Sequence, residues 1–246
     1  MLWSKAIGAG GAGGGGSISL VGHSTSSVAG ESPLSVDLTS LTGGLSNAPE
    51  PGDLVLIFIS GTGYSNNNYD IGGITTTGYV TQVDRFAYAG AAGYRSIVTV
   101  GYKIMGTTPD SVVNCSTASS SFSSQIAHVR VYRGVDAITP IDTTPSTTSG
   151  ENTVVDPPPI TPISSVYLTV SGGSLSGEGF RSGSYSSNDL DNVISTAAGN
   201  AGSTFITLSA WGDSLSTVDP AAFVGSGIST YSNTVYTAAT IVLRPA

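Results

Sequence analysis

The sequence predicts an all-β chain, an antiparallel β-sandwich or jelly roll with a glycine-rich extended N-terminal arm. Three observations carry this. Short runs alternate polar and apolar residues with the period of two that a half-buried strand needs. Val, Ile, Thr and Tyr fill those runs, as pleated surfaces prefer. Gly, Asn and Pro interrupt the chain so often that no helix beyond about ten residues is credible.

The arm comes first. Met1-Leu2-Trp3-Ser4-Lys5-Ala6-Ile7 runs into seven glycines between Gly8 and Gly16. Residues 1–16 read as a tether carrying two bulky anchors, Leu2 and Trp3, the candidate assembly residues. Glycine loses the most backbone freedom on ordering, so a neighbouring subunit is the expected support. The same glycines cut short the apolar run that a secretory signal requires. The chain therefore reads as made and used without classical secretion, and the Asn114-Cys115-Ser116 sequon as chance.

Residues 17–246 read as a single sandwich domain. Ser17-Ile18-Ser19-Leu20-Val21 and Ser32 to Leu38 alternate. A Pro51-Gly52 turn leads into Asp53-Leu54-Val55-Leu56-Ile57-Phe58-Ile59, whose unbroken apolar run suits a central strand covered on both faces. Tyr79 to Phe86, Tyr94 to Met105, Val112 to Ser116 and Gln125 to Tyr132 follow. The Pro- and Thr-rich stretch near 140–162, centred on Pro157-Pro158-Pro159, reads as an extended crossover between two sheets. Ser165 to Val170, Thr204 to Trp211 and Thr234 to Leu243 complete the strands. One short helical turn is expected near Asp189 to Ile194, and no repeat at a fixed period is visible.

Composition excludes several functions. Eight basic and sixteen acidic residues give a net charge of −8. Phosphate binding needs clustered Lys and Arg, yet Lys5 and Lys103 are the only lysines and the six arginines are scattered. Nucleic acid and anionic lipid are thus not expected partners. No apolar run reaches the length of a membrane-spanning helix. The single cysteine, Cys115, allows no intrachain disulfide and reads as a small strand residue.

Catalytic signals are thin, and no enzyme activity or cofactor is expected. His23 and His128 are far apart in sequence, and no Gly-x-Ser-x-Gly elbow is present. His128 shares a strand face with Ile126 and Arg130, where a sheet hydrogen bond is the expected role. Glu31, Glu50, Glu151 and Glu178 sit in contexts that read as surface loops, so no carboxylate pair for glycoside hydrolysis emerges. Asn188-Asp189-Leu190-Asp191-Asn192 is rich in oxygen donors but lacks the spacing of a calcium loop, and no metal is expected. Asp53 reads as a turn residue and Trp211 as a core residue. Two loops carry the chemistry of sugar recognition, aromatic faces beside Asn and Asp. One is Tyr64-Ser65-Asn66-Asn67-Asn68-Tyr69-Asp70. The other runs from Phe180 to Asp191. Tyr64, Asn67, Tyr69, Asp70, Tyr185 and Asp189 are the candidate residues for a glycan or partner.

Several landmarks fall in a familiar order: Pro51-Gly52-Asp53-Leu54-Val55-Leu56-Ile57, then Gly78-Tyr79, Tyr102-Lys103-Ile104, Val131-Tyr132-Arg133-Gly134-Val135-Asp136 and Pro140-Ile141-Asp142. This order resembles a loosely defined family of β-sandwich proteins of tailed bacteriophages and related particles. The resemblance covers roughly residues 50–145, with Ala239 to Pro245 as weaker support. It implies a non-enzymatic virion component: a head spike, fibre, decoration protein or tail appendage. Such a protein assembles in the host cytoplasm as a homo-oligomer beside other virion proteins. The alternative is a carbohydrate-binding adhesin module that contacts a bacterial surface glycan. The family supplies no catalytic residue to transfer.

Overall fold

A computed structural model describes residues 16–30, 32–64, 73–89, 94–116, 124–152, 154–178, 184–199, 205–226 and 234–246. Among them there is no helix, and antiparallel strands dominate. The first half of the chain supplies β1 (Ser19–Ala29), β2 (Leu34–Asp37), β3 (Leu54–Tyr64), β4 (Val80–Ala89), β5 (Tyr94–Ile104), β6 (Val112–Cys115) and β7 (Ser124–Arg133). The second half supplies β8 (Ser146–Glu151), β9 (Leu168–Glu178), β10 (Ser184–Ser186), β11 (Asp191–Gly199), β12 (Phe205–Ser214), β13 (Val224–Ser226) and β14 (Val235–Leu243).

Two five-stranded sheets pack face to face, in the orders β1-β7-β3-β5-β4 and β11-β12-β9-β14-β8. This is the antiparallel sandwich that the alternating runs predict. Strand β3 shows why the apolar run works in the middle. Leu54, Leu56 and Phe58 point to the opposite sheet, where, with Val98 and Val100 of their own sheet, they meet Val170, Trp211 and Ile241. Val55, Ile57 and Ile59 point outward, under a second layer formed by Leu34, Val36, Leu41, Val113 and Cys115. Both faces are covered, so no residue of the run needs to be polar. A third apolar cluster, with Val155, Leu175, Leu208 and Phe223, lies on the outer face of the second sheet.

The two halves repeat one plan. Read from β8, the second sheet runs β8-β14-β9-β12-β11, so each sheet orders its strands first, fifth, second, fourth, third. The outer layers match as well. In the first half β6 pairs with β2 and bridges Ile74. In the second, β13 pairs with β10, and the adjoining Phe223 bridges Val155. No sequence repeat announces this, because pairing order is shared and residues are not.

Three expectations are corrected. The segment near Asp189 to Ile194 enters strand β11 and is not helical; Asn192 there takes a left-handed φ of 51°, which Asn tolerates better than most residues. Only the first part of the Pro-rich stretch crosses between sheets. Strand β8 lies within it, and the remainder joins β8 to β9 inside the second sheet. There the carbonyl of Pro158 accepts a hydrogen bond from Thr240 Oγ1 at 2.6 Å. Finally, Glu151 and Glu178 end strands β8 and β9 rather than sitting in loops.

The sandwich has two distinct ends. Leu54, Tyr132 and Ile104 align at one, as do Leu168 and Leu243. We call this end the base. Tyr64 and Tyr94, and Glu178 and Phe205, align at the other, the tip. The eleven residues of β3 separate the two by about 35 Å.

Gly134 closes the base. It follows β7 with a φ of +83°, and a Cβ there would lie 2.6 Å from the Ser17 carbonyl oxygen. Gly52 has a similar φ of +88° with nothing within 4 Å. Gly52→Ala is expected to cost about 1–2 kcal/mol, the left-handed penalty alone. Gly134→Ala must also displace the Ser17 carbonyl and is expected to cost more. Urea midpoints of the two variants measure the difference, and equal midpoints would refute the close approach.

Candidate functional site

Two polar regions stand out from the sheets: a buried cluster between them, and the tip where the predicted recognition loops begin.

The cluster is built on β7. Ser124, Ile126, His128, Arg130 and Tyr132 alternate with Ala127, Val129 and Val131, which face the outer layer. The first set therefore faces the second sheet. Arg130 is fully buried. Its Nη1 donates to Asp213 Oδ2 at 2.8 Å, and its Nη2 donates to the carbonyls of Trp211, at 2.7 Å, and Asn192. Tyr132 Oη donates to the same Asp213 Oδ2 at 2.9 Å, and Asn192 Nδ2 donates to Oδ1 at 2.9 Å. Trp211 stacks on Phe58 with ring centroids 3.8 Å apart, and its Nε1 donates to Ser209 Oγ at 3.1 Å. Trp211 is the core residue the sequence predicts.

His128 and His23 flank this cluster. His128 Nδ1 lies 3.2 Å from Thr25 Oγ1 on the neighbouring strand, which is the predicted sheet hydrogen bond. Burial, helped by the positive charge of Arg130 and by His23, pushes the His128 imidazole down to about 3. Burial and Arg130 also lower His23, against the opposing pull of Asp213. Tyr132 is driven well above the usual phenol range, first by burial and then by Asp213. His128 therefore stays neutral at neutral pH, and Tyr132 stays a phenol. The arrangement joins the two sheets through Arg130, Tyr132 and Asp213. Cys115, buried in β6, is pushed up to about 12 by burial and stays a thiol.

The sequence-predicted recognition residues are dispersed. Tyr64 ends β3 at the tip, in register with Tyr94. Asn67, Tyr69 and Asp70 lie outside the described residues, as do Leu2, Trp3 and Glu31. Tyr185 lies in β10 opposite Gly225, on the outer side of the second sheet. Asp189 is exposed before β11, whose first residue Asp191 pairs with Asp213 toward the base. Its Oδ2 accepts from the Ala221 N–H at 3.1 Å, and its carbonyl accepts from Thr217 Oγ1 at 3.3 Å. Asp189 thus clips two loops and does not join Tyr64. The oxygen-rich run around it also diverges: Leu190 is buried and Asn192 turns inward to Asp213. Among the described residues no group of three His, Cys, Asp or Glu side chains could hold a metal ion.

The starts of the two loops nonetheless converge. Ser176 Oγ on β9 lies 3.5 Å from the Gly61 carbonyl on β3, so the chain leaves both strands side by side at the tip. At the base, Asp53 joins Arg133 with Nε–Oδ1 at 2.8 Å, and Arg133 also meets Glu50 at 2.9 Å. Asp142 joins Arg244 at 3.1 Å. Burial alone would raise Asp142, but bonds from Ser164, the Ile163 N–H and Arg244 prevail and lower it.

Compared with known proteins, the sequence matches no family model, no curated protein and no solved structure.

The Arg130–Asp213–Tyr132 cluster is what sequence reading missed. Arg130 was legible as a strand residue, but its partner lies 83 residues on, and no local pattern links them. Breaking this pair leaves a desolvated charge, so Asp213→Leu is expected to cost about 3–5 kcal/mol, and Arg130→Met/Asp213→Leu together considerably less. Chemical denaturation of the single and double variants tests this.

The His128 shift sets a pH dependence. Its folded value is depressed, so below pH about 6.5 the unfolded chain binds a proton that the folded chain does not. The stabilisation is complete above pH 6.5 and falls by roughly 1.4 kcal/mol per pH unit as pH drops toward 3. His128→Gln removes this proton and is expected to flatten the profile between pH 6 and 4. An unchanged slope would show that His128 titrates normally.

Proposed function

We propose that the protein is a non-enzymatic structural component of a phage-like particle, an appendage that assembles through its N-terminal arm and turns its loops outward. The observation that carries this reading is the opposition of the two ends. The Gly16 N–H donates to the Ala246 carbonyl at 3.0 Å, and the Ala246 N–H to the Gly134 carbonyl at 2.9 Å. The arm therefore leaves from the base, while the recognition loops leave from the tip, about 35 Å away. Attachment at one end and presentation at the other is the layout a spike, fibre or decoration protein needs.

The halves support the same reading. Each has five strands in one layer and three paired segments in another, eight in all, as a jelly-roll unit has. On this view the chain is a tandem pair of jelly rolls joined through their larger sheets. The sparse charge and absence of any disulfide requirement suit assembly in a reducing cytoplasm. Other virion proteins are the partners, and the virion is the location this role implies.

A second reading is favoured by the tip alone. Tyr64 and Tyr94 stand in register on β3 and β5 at the tip, and aromatic residues are the type that sugar faces stack on. Here the chain is a carbohydrate-binding adhesin module, and both roles can share one spike.

Two measurements test these readings. Light scattering on the full chain is expected to give a defined oligomer, and deletion of residues 1–16 to leave the sandwich folded but dissociate it. An unchanged oligomer after deletion would sink assembly through the arm. Tyr64→Ala is expected to reduce attachment to bacterial cells several-fold on the adhesin reading; unaltered attachment removes Tyr64 from it.

A further inference from the structure

Eight large apolar side chains remain exposed among the described residues, and four of them lie toward the base. Ile138 is 90% exposed, Ile163 74%, Val166 55% and Leu215 41%. Val166 lies two residues before β9 and Leu215 directly after β12, so both border the end where Leu168 and Leu243 pair. A patch of this kind on an otherwise well-packed protein marks a contact surface.

The two isoleucines are held out rigidly. The Ile138 N–H donates to Asp136 Oδ1 at 2.8 Å, which fixes a turn that leaves the side chain in water. The Ile163 N–H donates to the buried carboxylate of Asp142 at 2.5 Å. Arg244 ties the turns together, giving Nε–H to Asp142 Oδ1 at 3.1 Å and Nη1–H to Thr139 Oγ1 at 3.0 Å. The Asp136 N–H donates to the Arg244 carbonyl at 2.9 Å. Pre-ordered apolar anchors lose little entropy on binding, which is what an interface needs.

The same network leads to the arm. Arg244 precedes Pro245 and Ala246, and the Ala246 carbonyl holds Gly16. From Gly16 back to Trp3 is thirteen residues of chain, a reach of up to about 45 Å. The base is far smaller: five strands about 4.8 Å apart in two sheets about 10 Å apart. A latch onto the chain's own base would need only a few of those residues. Seven glycines are a costly way to make so short a link but a suitable one for crossing to a neighbour.

We propose that the base patch around Ile138 and Ile163 is the receptor for the arm of a second copy of the chain, with Leu2, Trp3 and Ile7 as the inserted apolar residues. The proposal rests on the reading that the arm drives assembly, and it adds the surface the arm binds. Exchange of arms between copies then makes each base both a point of departure and a point of capture.

The experiment uses the full chain labelled with 5-fluorotryptophan. Two tryptophans are present, so the ¹⁹F spectrum reports Trp3 beside the buried Trp211, with Trp3→Phe for assignment. Light scattering gives the molar mass of the same samples. Trp3 is expected to shift as concentration rises, in step with the mass. Ile138→Asp and Ile163→Asp, both at exposed positions, are expected to leave the Trp211 signal intact and raise the dissociation constant about tenfold or more. Leu2→Ser/Trp3→Ser is expected to do the same. Mixing that arm variant with Ile138→Asp is expected to restore pairing, because the mixture holds one sound base and one sound arm. If the arm variant dissociates while both base variants stay assembled, the receptor lies elsewhere and this inference falls, with assembly through the arm intact. If neither kind of variant dissociates, both readings fall. A Trp3 shift that is independent of concentration, in a monomer, would show the arm folded onto its own base and overturn the exchange.

Discussion

A guanidinium without access to water sits between the two large sheets, and the bonds to its two terminal nitrogens tie one sheet to the other. Arg130 comes from the first sheet. The groups that neutralise and bond it, Asp213 and the carbonyls of Trp211 and Asn192, all come from the second. Burying such a charge costs several kcal/mol unless its partners are in place. The sheets therefore have one relative position at which the cost is met. The left-handed Asn192 and the irregular start of β11 gain a purpose from this, since they bring a carbonyl inward that a regular strand would give to its neighbour.

Toward the tip the same interior changes character. Ser60 meets Ser209 at 2.7 Å, Ser124 meets Thr207 at 2.7 Å, and Ser96 meets Thr237 at 3.0 Å. Each pair joins one sheet to the other. A net hydrogen bond contributes only about 1 kcal/mol, so hydrophobic burial around Phe58 and Trp211 dominates stability. The hydroxyl pairs contribute direction. Apolar faces slide at little cost, whereas these pairs are lost by a shift of one residue. The Ser- and Thr-rich composition is thus partly an interior property, not a surface one.

Strands carrying apolar alternation were legible in the sequence: β3, β5, β7 and β14 lie where their Val, Ile and Leu place them. Strands β8, β10, β11 and β13 were not. Ser146–Glu151 is Ser, Thr, Gly and Glu throughout, and an edge strand that buries no large side chain leaves no periodic mark. The same limit hid the matching plan of the two halves, since strand pairing is not written in local residue types. Of the site, Trp211 in the core and the hydrogen bond of His128 followed from strand periodicity. The Arg130–Asp213 pair did not, because it depends on which strands stack. Asp189 read as a recognition residue by composition, and only its bond to Ala221 reveals a loop clip.

The division of the sheets between chain halves has a consequence for synthesis. The first large sheet is complete once β7 has emerged, yet more than a hundred residues still follow. At about 5–20 residues per second, its inner face waits on the order of ten seconds for a covering sheet. An all-aliphatic face would be an aggregation hazard over that interval. Here Ser60, Thr62, Ser96, Ser124, His128 and Arg130 occupy much of that face, and each can stay hydrated until the second half arrives. The polar groups that later fix how the sheets stack thus also interrupt the apolar face that a half-finished chain exposes.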